Sequence, residues 1–377
     1  MKSLYQYLAP FLADTFGFQE VIDVTDGMGI LEDCSPYKGM VSRADPSAEY
    51  GGSRLVSSNI RMEDVIGGTR DRLLQTFRAN VGRYDPAFVL VGNAPVALMI
   101  GTDLEDVAAT ITAESGIPAA AVELGGHRYY DSGVSATLLA LAKLLVHPSE
   151  EKIQNGINLL GGNAIDLARH NVRGIRQWAE EQGFSVISQL GGPESAENLK
   201  RAGMAQVNLV TAASGLATAR WMEKQLGIPY VAAAPLGASW SAQVAAALRQ
   251  RKQPDYTPSG GPPQILLLGE QLTCNAIRAT LELDFGVTGV QVASFFTMDK
   301  AISESNDQRL KSETALQTLL AEGGHRLALG DPELNRFPQA PRWVPLSHGA
   351  VGLEGSIPPL VGAQLNRWLE NALPKEE

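Results

Sequence analysis

The sequence predicts an α/β protein of three Rossmann-like domains, each a small parallel sheet flanked by helices. Three observations carry this expectation. An apolar, β-rich run that ends at a glycine and gives way to a helix-like stretch occurs three times, as Phe88-Val-Leu-Val-Gly92, Ile157-Asn-Leu-Leu-Gly161 and Ile265-Leu-Leu-Leu-Gly269. Continuous apolar strands between helical segments suit a parallel sheet covered on both faces. A helix, then Gly-Ile-Pro, then a strand appears twice, around Gly116-Ile-Pro118 and around Gly227-Ile-Pro229. Finally, 377 residues are more than one hydrophobic core usually sustains.

In order along the chain, Asp103 to Ser115 has helical spacing and Gly116-Ile-Pro118 stops it before the strand Ala119 to Leu124. Ser132 to Val146 reads as a helix, and His147-Pro-Ser149 marks a boundary because proline disfavours a helical residue before it. In the second unit, Ala217 to Leu226 is a helix and Tyr230 to Ala234 a strand. The turn-rich segment Asp255-Tyr-Thr-Pro-Ser-Gly-Gly-Pro-Pro263 suits neither a helix nor a sheet interior and reads as a linker. Beyond it follow a helix around Cys274 to Leu283, a strand Val290 to Phe296, a polar helix through Glu322, short strands at Leu327 and Val344, and an amphipathic helix. The expected domains are therefore 1–150, 151–258 and 259–377.

Composition narrows the function classes. A net charge of -10, with no cluster of lysine and arginine, argues against nucleic acid as a partner. No apolar run reaches the roughly 18 residues of a membrane span, so no membrane partner is expected. The first residues lack the pattern of a signal peptide, which leaves the cytoplasm as the expected location. Two cysteines, Cys34 and Cys274, exclude a disulfide scaffold and a self-contained four-cysteine metal site. No G-x-x-x-x-G-K-[ST] cradle is present, and Glu32 stands where a dinucleotide fingerprint begun by Gly27-Met-Gly29 needs its third glycine. No bound nucleotide is expected.

Six segments, read in order, resemble the nitrogenase component 1 family, which includes dinitrogenase subunits, cofactor-assembly scaffolds and reductases of tetrapyrrole synthesis. They are Leu8-Ala-Pro-Phe-Leu-Ala-Asp14 with Gly17; Ser57-Ser-Asn-Ile-Arg-Met-Glu-Asp-Val-Ile-Gly-Gly68; Pro86 through Gly92 to Ile100-Gly-Thr-Asp103; Ile157-Asn-Leu-Leu-Gly161; Val207-Asn-Leu-Val210 with Met222 to Tyr230; and Gly330-Asp-Pro332 with Ser347-His-Gly349. Together they span nearly the whole chain. The resemblance implies three Rossmann-like domains, pairing with a homologous component 1-like subunit, and electrons delivered by a P-loop iron–sulfur reductase. It further implies an iron–sulfur cluster shared with the partner and a further metallocofactor.

Departures from the family pattern limit what carries over. Family members place cysteines near the end of the first strand and before a proline in the first domain, because iron–sulfur clusters need soft thiolates. This chain keeps Cys34 at the first position, but Gly92-Asn-Ala-Pro95 offers no thiolate at the second. Thr211 stands where dinitrogenase catalytic subunits present a cysteine to their large cofactor, which argues against a dinitrogenase active subunit. Cys34, in Glu32-Asp-Cys-Ser-Pro-Tyr-Lys38, is then the candidate metal ligand. Its bland reading is a small buried hydrophobe, as is that of Cys274 within Leu272-Thr-Cys-Asn-Ala-Ile277. Glu32 and Asp33 read as candidate oxygen ligands or as turn caps.

Histidine is the remaining group for proton delivery near neutrality. His127 follows the second strand of the first domain beside Arg128, Tyr129 and Tyr130, a donor cluster for an anionic or macrocyclic ligand, or a loop packing its aromatics on a domain interface. His348 follows the strand Trp343 to Leu346, with Ser347 and Gly349 around it. His127 and His348 are the candidate catalytic residues, and Arg128, Tyr130 and Thr211 the candidate cofactor-binding ones. His147, His170 and His325 read as surface or turn residues. The expected function is a component 1-like oxidoreductase subunit performing low-potential reduction. The alternatives are a metallocofactor carrier or scaffold of the same fold and, more remotely, a sugar-nucleotide transferase.

Overall fold

A computed structural model of the chain describes residues 6–34, 53–95, 97–126, 128–338, 340–352 and 356–373. It contains three sheets flanked by helices. The first has strands β1 (Met28–Glu32), β2 (Leu55–Ser57), β3 (Val89–Asn93) and β4 (Ala119–Val122), in the order β2-β1-β3-β4. The second comprises β5 (Gly156–Leu160), β6 (Ser185–Leu190), β7 (Val207–Val210) and β8 (Tyr230–Ala232), in the order β6-β5-β7-β8. The third holds β9 (Ile265–Leu268), β10 (Val290–Ser294), β11 (Gln308–Arg309), β12 (Leu327–Gly330) and β13 (Arg342–Pro345), in the order β11-β10-β9-β12-β13. The pairings are parallel, with Ile30 opposite Val56 and Val91, Leu159 opposite Leu209, and Leu267 opposite Val292 and Leu329.

The apolar runs form central strands because every residue of β1, β3, β5, β7 and β9 is buried, as a strand covered on both faces must be. The repeated Gly-Ile-Pro device works as expected. Helix Leu104–Ser115 starts at Asp103, whose side chain accepts the Asp106 amide, and stops at Gly116 in the left-handed region (φ +74°). Helix Leu216–Leu226 stops at Gly227 in the same way (φ +66°).

The described residues within 12–152 and 187–204 form one compact unit, which carries the first sheet. Its helices Asp14–Asp23 and Tyr130–Leu145 cross with their backbones nearly touching: a methyl group on Gly17 would overlap the Tyr130 carbonyl, and one on Gly133 the Asp14 carbonyl. The described residues within 1–11, 153–186 and 205–377 form the other unit. Here β5, β7 and β8 of the second sheet share a continuous core with the third sheet, which includes Leu159, Leu209, Trp240, Leu267, Ile277 and Leu329. Among the described residues, no helix is long and apolar enough to cross a membrane.

All three sheets repeat one topology. In each the second strand lies on one side of the first, and the chain later crosses to the other side, with the third strand in the first two sheets and with the fourth, β12, in the third sheet, so β1/β3, β5/β7 and β9/β12 are each a switch point in strand order. Open parallel sheets bind ligands in the crevice that such a reversal leaves at the carboxyl ends of the strands.

Candidate functional site

The richest chemistry lies in the unit that holds the second and third sheets, at their switch points. After β5 the chain turns through Gly161 (φ +89°), where any side chain would strike Ala212 and Gly215. It then reaches Asn163, which caps helix Ala164–Glu181 by accepting the amides of Ile165 (3.0 Å) and Asp166 (3.1 Å). The Asn163 amide nitrogen donates to the Gly161 carbonyl (3.0 Å) and to Asp166 Oδ2 (2.6 Å), fixing the Asp166 carboxylate. Asp166 Oδ1 lies 3.5 Å from His348 Nε2. His348 Nδ1 accepts the Ala350 amide (3.2 Å), so in the neutral ring the proton sits on Nε2, facing Asp166. Phe296 stacks on the imidazole with ring centroids 4.7 Å apart. The His348 amide donates to Asp331 Oδ2 (2.8 Å), directly after β12.

Glu270, directly after β9 and Gly269, completes the cluster. Oε1 accepts the amides of Ala213 (2.8 Å) and Leu272 (3.1 Å), and Oε2 accepts that of Thr273 (2.8 Å). It therefore caps helix Gln271–Phe285 and ties it to the loop after β7. Burial, and then the negative charge of Asp166, push its pKa up to about 7 against the three backbone donors. Asp166, Glu270, Asp331 and His348 are all buried. The arrangement can hold a proton on Glu270 near neutrality and orient a second on His348. Beside it, a cavity lined by Gly269, Ser294, Phe296, Asp331 and His348 measures about 10 Å³, close to what a single water requires.

The sequence-derived candidates fall into both units. Thr211 and His348 lie in the unit just described. Thr211 is buried beyond β7, its hydroxyl 3.4 Å from the Leu160 carbonyl. In the other unit, Tyr130 is fully buried at the first turn of its helix. Arg128 is exposed, its side chain passing over Gly125 and its carbonyl accepting the Asp14 amide. His127, and residues 35–38 of the motif around Cys34, lie outside the described residues. Cys274 is buried, which raises its thiol pKa. His147 and His170 are exposed. His325 departs from expectation. It is buried, its Nε2 bonded to Gln291 Oε1 (2.7 Å), because it lies two residues before β12 and turns inward toward β10.

Cys34 is exposed just past the end of β1. Its neighbours point inward: Glu32 is buried, accepting the Thr69 hydroxyl and that of Thr102 (2.6 Å), and Asp33 is buried with Oδ2 unpartnered. Thr69 and Thr102 also touch each other, and they anchor two segments whose tips are apolar and exposed. Met62, Val65 and Ile66 occupy helix Met62–Gly67, and Leu98 and Met99 the turn Ala97–Met99; Ile66 is 83% and Met99 91% exposed. These five are most of the seven exposed large hydrophobic side chains among the described residues.

Do these donors fit the metal groups that the resemblance implies? Among the described residues, no group of three or more histidine, cysteine or acidic side chains could hold a metal ion. At the β3 position Asn93 is a neutral amide whose oxygen accepts the Leu124 amide (2.9 Å), so this chain supplies one thiolate and not a full cluster set. His348 has its Nδ1 engaged and its ring sealed against Phe296, and the adjoining cavity is too small for a bulky metallocofactor.

Missed from sequence were Asp166, Glu270, Asp331 and Asn163. The available signal was their position, each shortly beyond an apolar strand and at or near the start of a helix.

Comparison with known proteins gives a consistent identification. Residues 34–259 match the model of nitrogenase component 1 type oxidoreductases. The nitrogenase iron-molybdenum cofactor biosynthesis protein NifE of Methanosarcina barkeri is 27% identical over 234 residues, covering 57% of this chain and 49% of that protein. A light-independent protochlorophyllide reductase polypeptide of Roseobacter denitrificans is 25% identical over 183 residues, covering 48% of this chain and 35% of that protein. The chain thus spans about half the length, or less, of these curated relatives. A solved structure, nitrogenase Cp1 at pH 6.5, superposes with a TM-score of 0.75 at 15% identity, over 98% of this chain and 93% of that one, so the fold is shared. The family match covers more than half of the sequence, and the chain belongs to the nitrogenase component 1 type oxidoreductases.

Proposed function

We propose that this chain is a redox subunit that works in a pair. A sister component 1-like subunit covers the rim around Cys34, and a cluster at that junction receives electrons from an ATP-dependent iron–sulfur reductase for low-potential reduction of a substrate. The observation that carries this reading is the exposure of Cys34 at a strand end whose neighbouring segments present Ile66, Met99 and three further apolar side chains to solvent. Such a concentration of apolar surface marks a face that another protein covers. Cys34 contributes one thiolate and the sister subunit the others; the cluster would supply one-electron transfer. His127, Arg128, Tyr130, Thr211 and His348 belong to this reading as the groups that hold or protonate the substrate or a second cofactor.

The chain's own residues support the proton side of such a reduction. Glu270, its pKa pushed up to about 7 by burial and then by Asp166, can take up and release a proton near neutrality, and the Asp166–His348 pair orients another. A second reading, a metallocofactor carrier or scaffold, is favoured by the engagement of His348, which leaves it sealed within its own network. The similarity to a cofactor biosynthesis protein over more than half of this chain points the same way.

One experiment separates the two. Iron and acid-labile sulfide are measured, with electron paramagnetic resonance after dithionite, on anaerobically purified protein alone and with the candidate sister subunit, for wild type and Cys34→Ala. The redox reading expects a cluster signal in the pair that Cys34→Ala abolishes. Iron that persists unchanged in Cys34→Ala favours the carrier, and no iron in any preparation overturns the redox reading.

A further inference from the structure

The unit holding the third sheet also contains a cavity of about 200 Å³. Its walls include Trp240 from helix Ala238–Gln250, Tyr256 from the following linker, Asn275 and Arg278 from helix Gln271–Phe285, and Glu304 from the turn before β11. Trp240 and Tyr256 meet edge to face, 5.3 Å between centroids.

The charges around this space are unbalanced. Arg278 is buried, with Nη1 on Asp307 (2.7 Å) and Nη2 on Asn275 Oδ1 (2.7 Å); Nε has no acceptor and no contact with water, so the guanidinium is consumed within the wall. Glu282 accepts the Tyr256 hydroxyl (2.6 Å) and the Ser259 amide (2.9 Å). Glu304 is half-buried, and its carboxylate has no hydrogen-bond or ion-pair partner among the described residues; its amide donates to Asp307 Oδ2 (2.8 Å). Of the two charged side chains that line the cavity, Arg278 is thus neutralised by Asp307 and Glu304 is left as an unpaired negative charge. Burial, and then the bond to Glu282, raise the Tyr256 pKa far above its usual value, so the ring remains a neutral phenol.

We propose that this cavity is a binding site for a small organic cation, an alkylammonium or quaternary ammonium head, with Glu304 as its counter-ion and Trp240 and Tyr256 as its aromatic walls. An organic cation is attracted to aromatic rings and to an unpaired carboxylate together. A small metal ion would find one free carboxylate where it needs several oxygen ligands. An anion would meet the negative excess. A neutral apolar ligand would desolvate Glu304 without a partner for it.

The test uses the full chain, choline chloride, and the uncharged analogue in which carbon replaces the ammonium nitrogen. Binding is followed by calorimetry and by tryptophan fluorescence, with wild type and Glu304→Gln, after thermal unfolding confirms that the variant is folded. The expected result is saturable choline binding below about 10 mM, at least about tenfold weaker binding of the uncharged analogue, and a similar loss in Glu304→Gln. Equal binding of the two compounds, choline affinity unchanged in Glu304→Gln, or no saturable choline binding to wild type would each overturn the proposal. The comparison of the two compounds on wild type decides the matter even if Glu304→Gln fails to fold.

Discussion

Replacing Glu270 by glutamine tests whether the buried acidic cluster stores a proton. In the folded chain, burial and Asp166 hold the Glu270 pKa at about 7, whereas an unfolded chain releases that proton near pH 4.3. Between those values the folded state binds more protons than the unfolded state, so this site's contribution to stability falls as pH rises. It is fully present below about pH 4.3 and lost once pH passes about 7. The gap corresponds to about 4 kcal/mol. Glutamine keeps the shape and cannot ionise, but it offers one carbonyl oxygen to the amides of Ala213, Leu272 and Thr273. That loss costs about 1 kcal/mol at every pH. The two profiles should therefore cross near pH 5: Glu270→Gln is less stable than wild type at pH 4, by about 1 kcal/mol, and more stable at pH 8, by about 3 kcal/mol. Thermal unfolding followed by circular dichroism at both pH values measures the crossing. Infrared difference spectra should show a protonated carboxylic acid at pH 5 that the variant lacks. Parallel stability profiles, with that band unchanged, would refute the proton store.

Two further substitutions probe the framework. His325 is buried and its pKa is pushed below 6.5, so its contribution to stability is present above about pH 6.5 and is lost as pH falls through its folded value, opposite in sign to Glu270. His325→Gln should weaken acid destabilisation in unfolding experiments between pH 7 and pH 5, and an unchanged acid limb would show that the imidazole is not held neutral. In Gly133→Ala the new methyl group would meet the Asp14 carbonyl across the closest helix contact, at a cost of about 3 kcal/mol or more. Soluble yield and apparent Tm should both fall, and a wild-type Tm would mean that the helix pair is looser than described.

The parallel strands are readable because their signal is local. Ile265 to Leu268 is apolar at every position, and glycine ends the run. Edge strands β2 and β11, with three and two residues, have no such periodicity and take their form from the neighbours they pair with. The site is harder to read for a different reason. Asp166, Glu270, Asp331 and His348 lie far apart in sequence, and each acid alone looks like a cap at the start of a helix. Asp166 and Glu270 do cap or lead helices, and both roles use the same carboxylates. Burial, and then the charge of Asp166, raise the Glu270 pKa, and that second cause exists only because the β5/β7 and β9/β12 switch points lie within one packed unit. His325 escapes a sequence reading on the same ground, since a histidine between glycine and arginine carries no local sign of burial.

The same topology therefore produces two kinds of strand end. At β5/β7 and β9/β12 the carboxylates find their partners within the chain: backbone amides, Asn163 and His348 satisfy them, and burial turns their mutual repulsion into a raised pKa. At β1/β3 Glu32 is satisfied inward by Thr69 and Thr102, while the thiol and the apolar side chains face outward. A sealed network depends on its own residues, so substitutions there should register in the isolated chain as stability and proton affinity. An open rim has little to lose in isolation. A surface substitution away from buried contacts costs within about 0.5 kcal/mol, so the consequence of changing Cys34 or Ile66 should emerge when a second protein is present. Stability measurements on the chain alone can thus be silent at Cys34 and loud at Glu270, and that contrast follows from which way each strand end points.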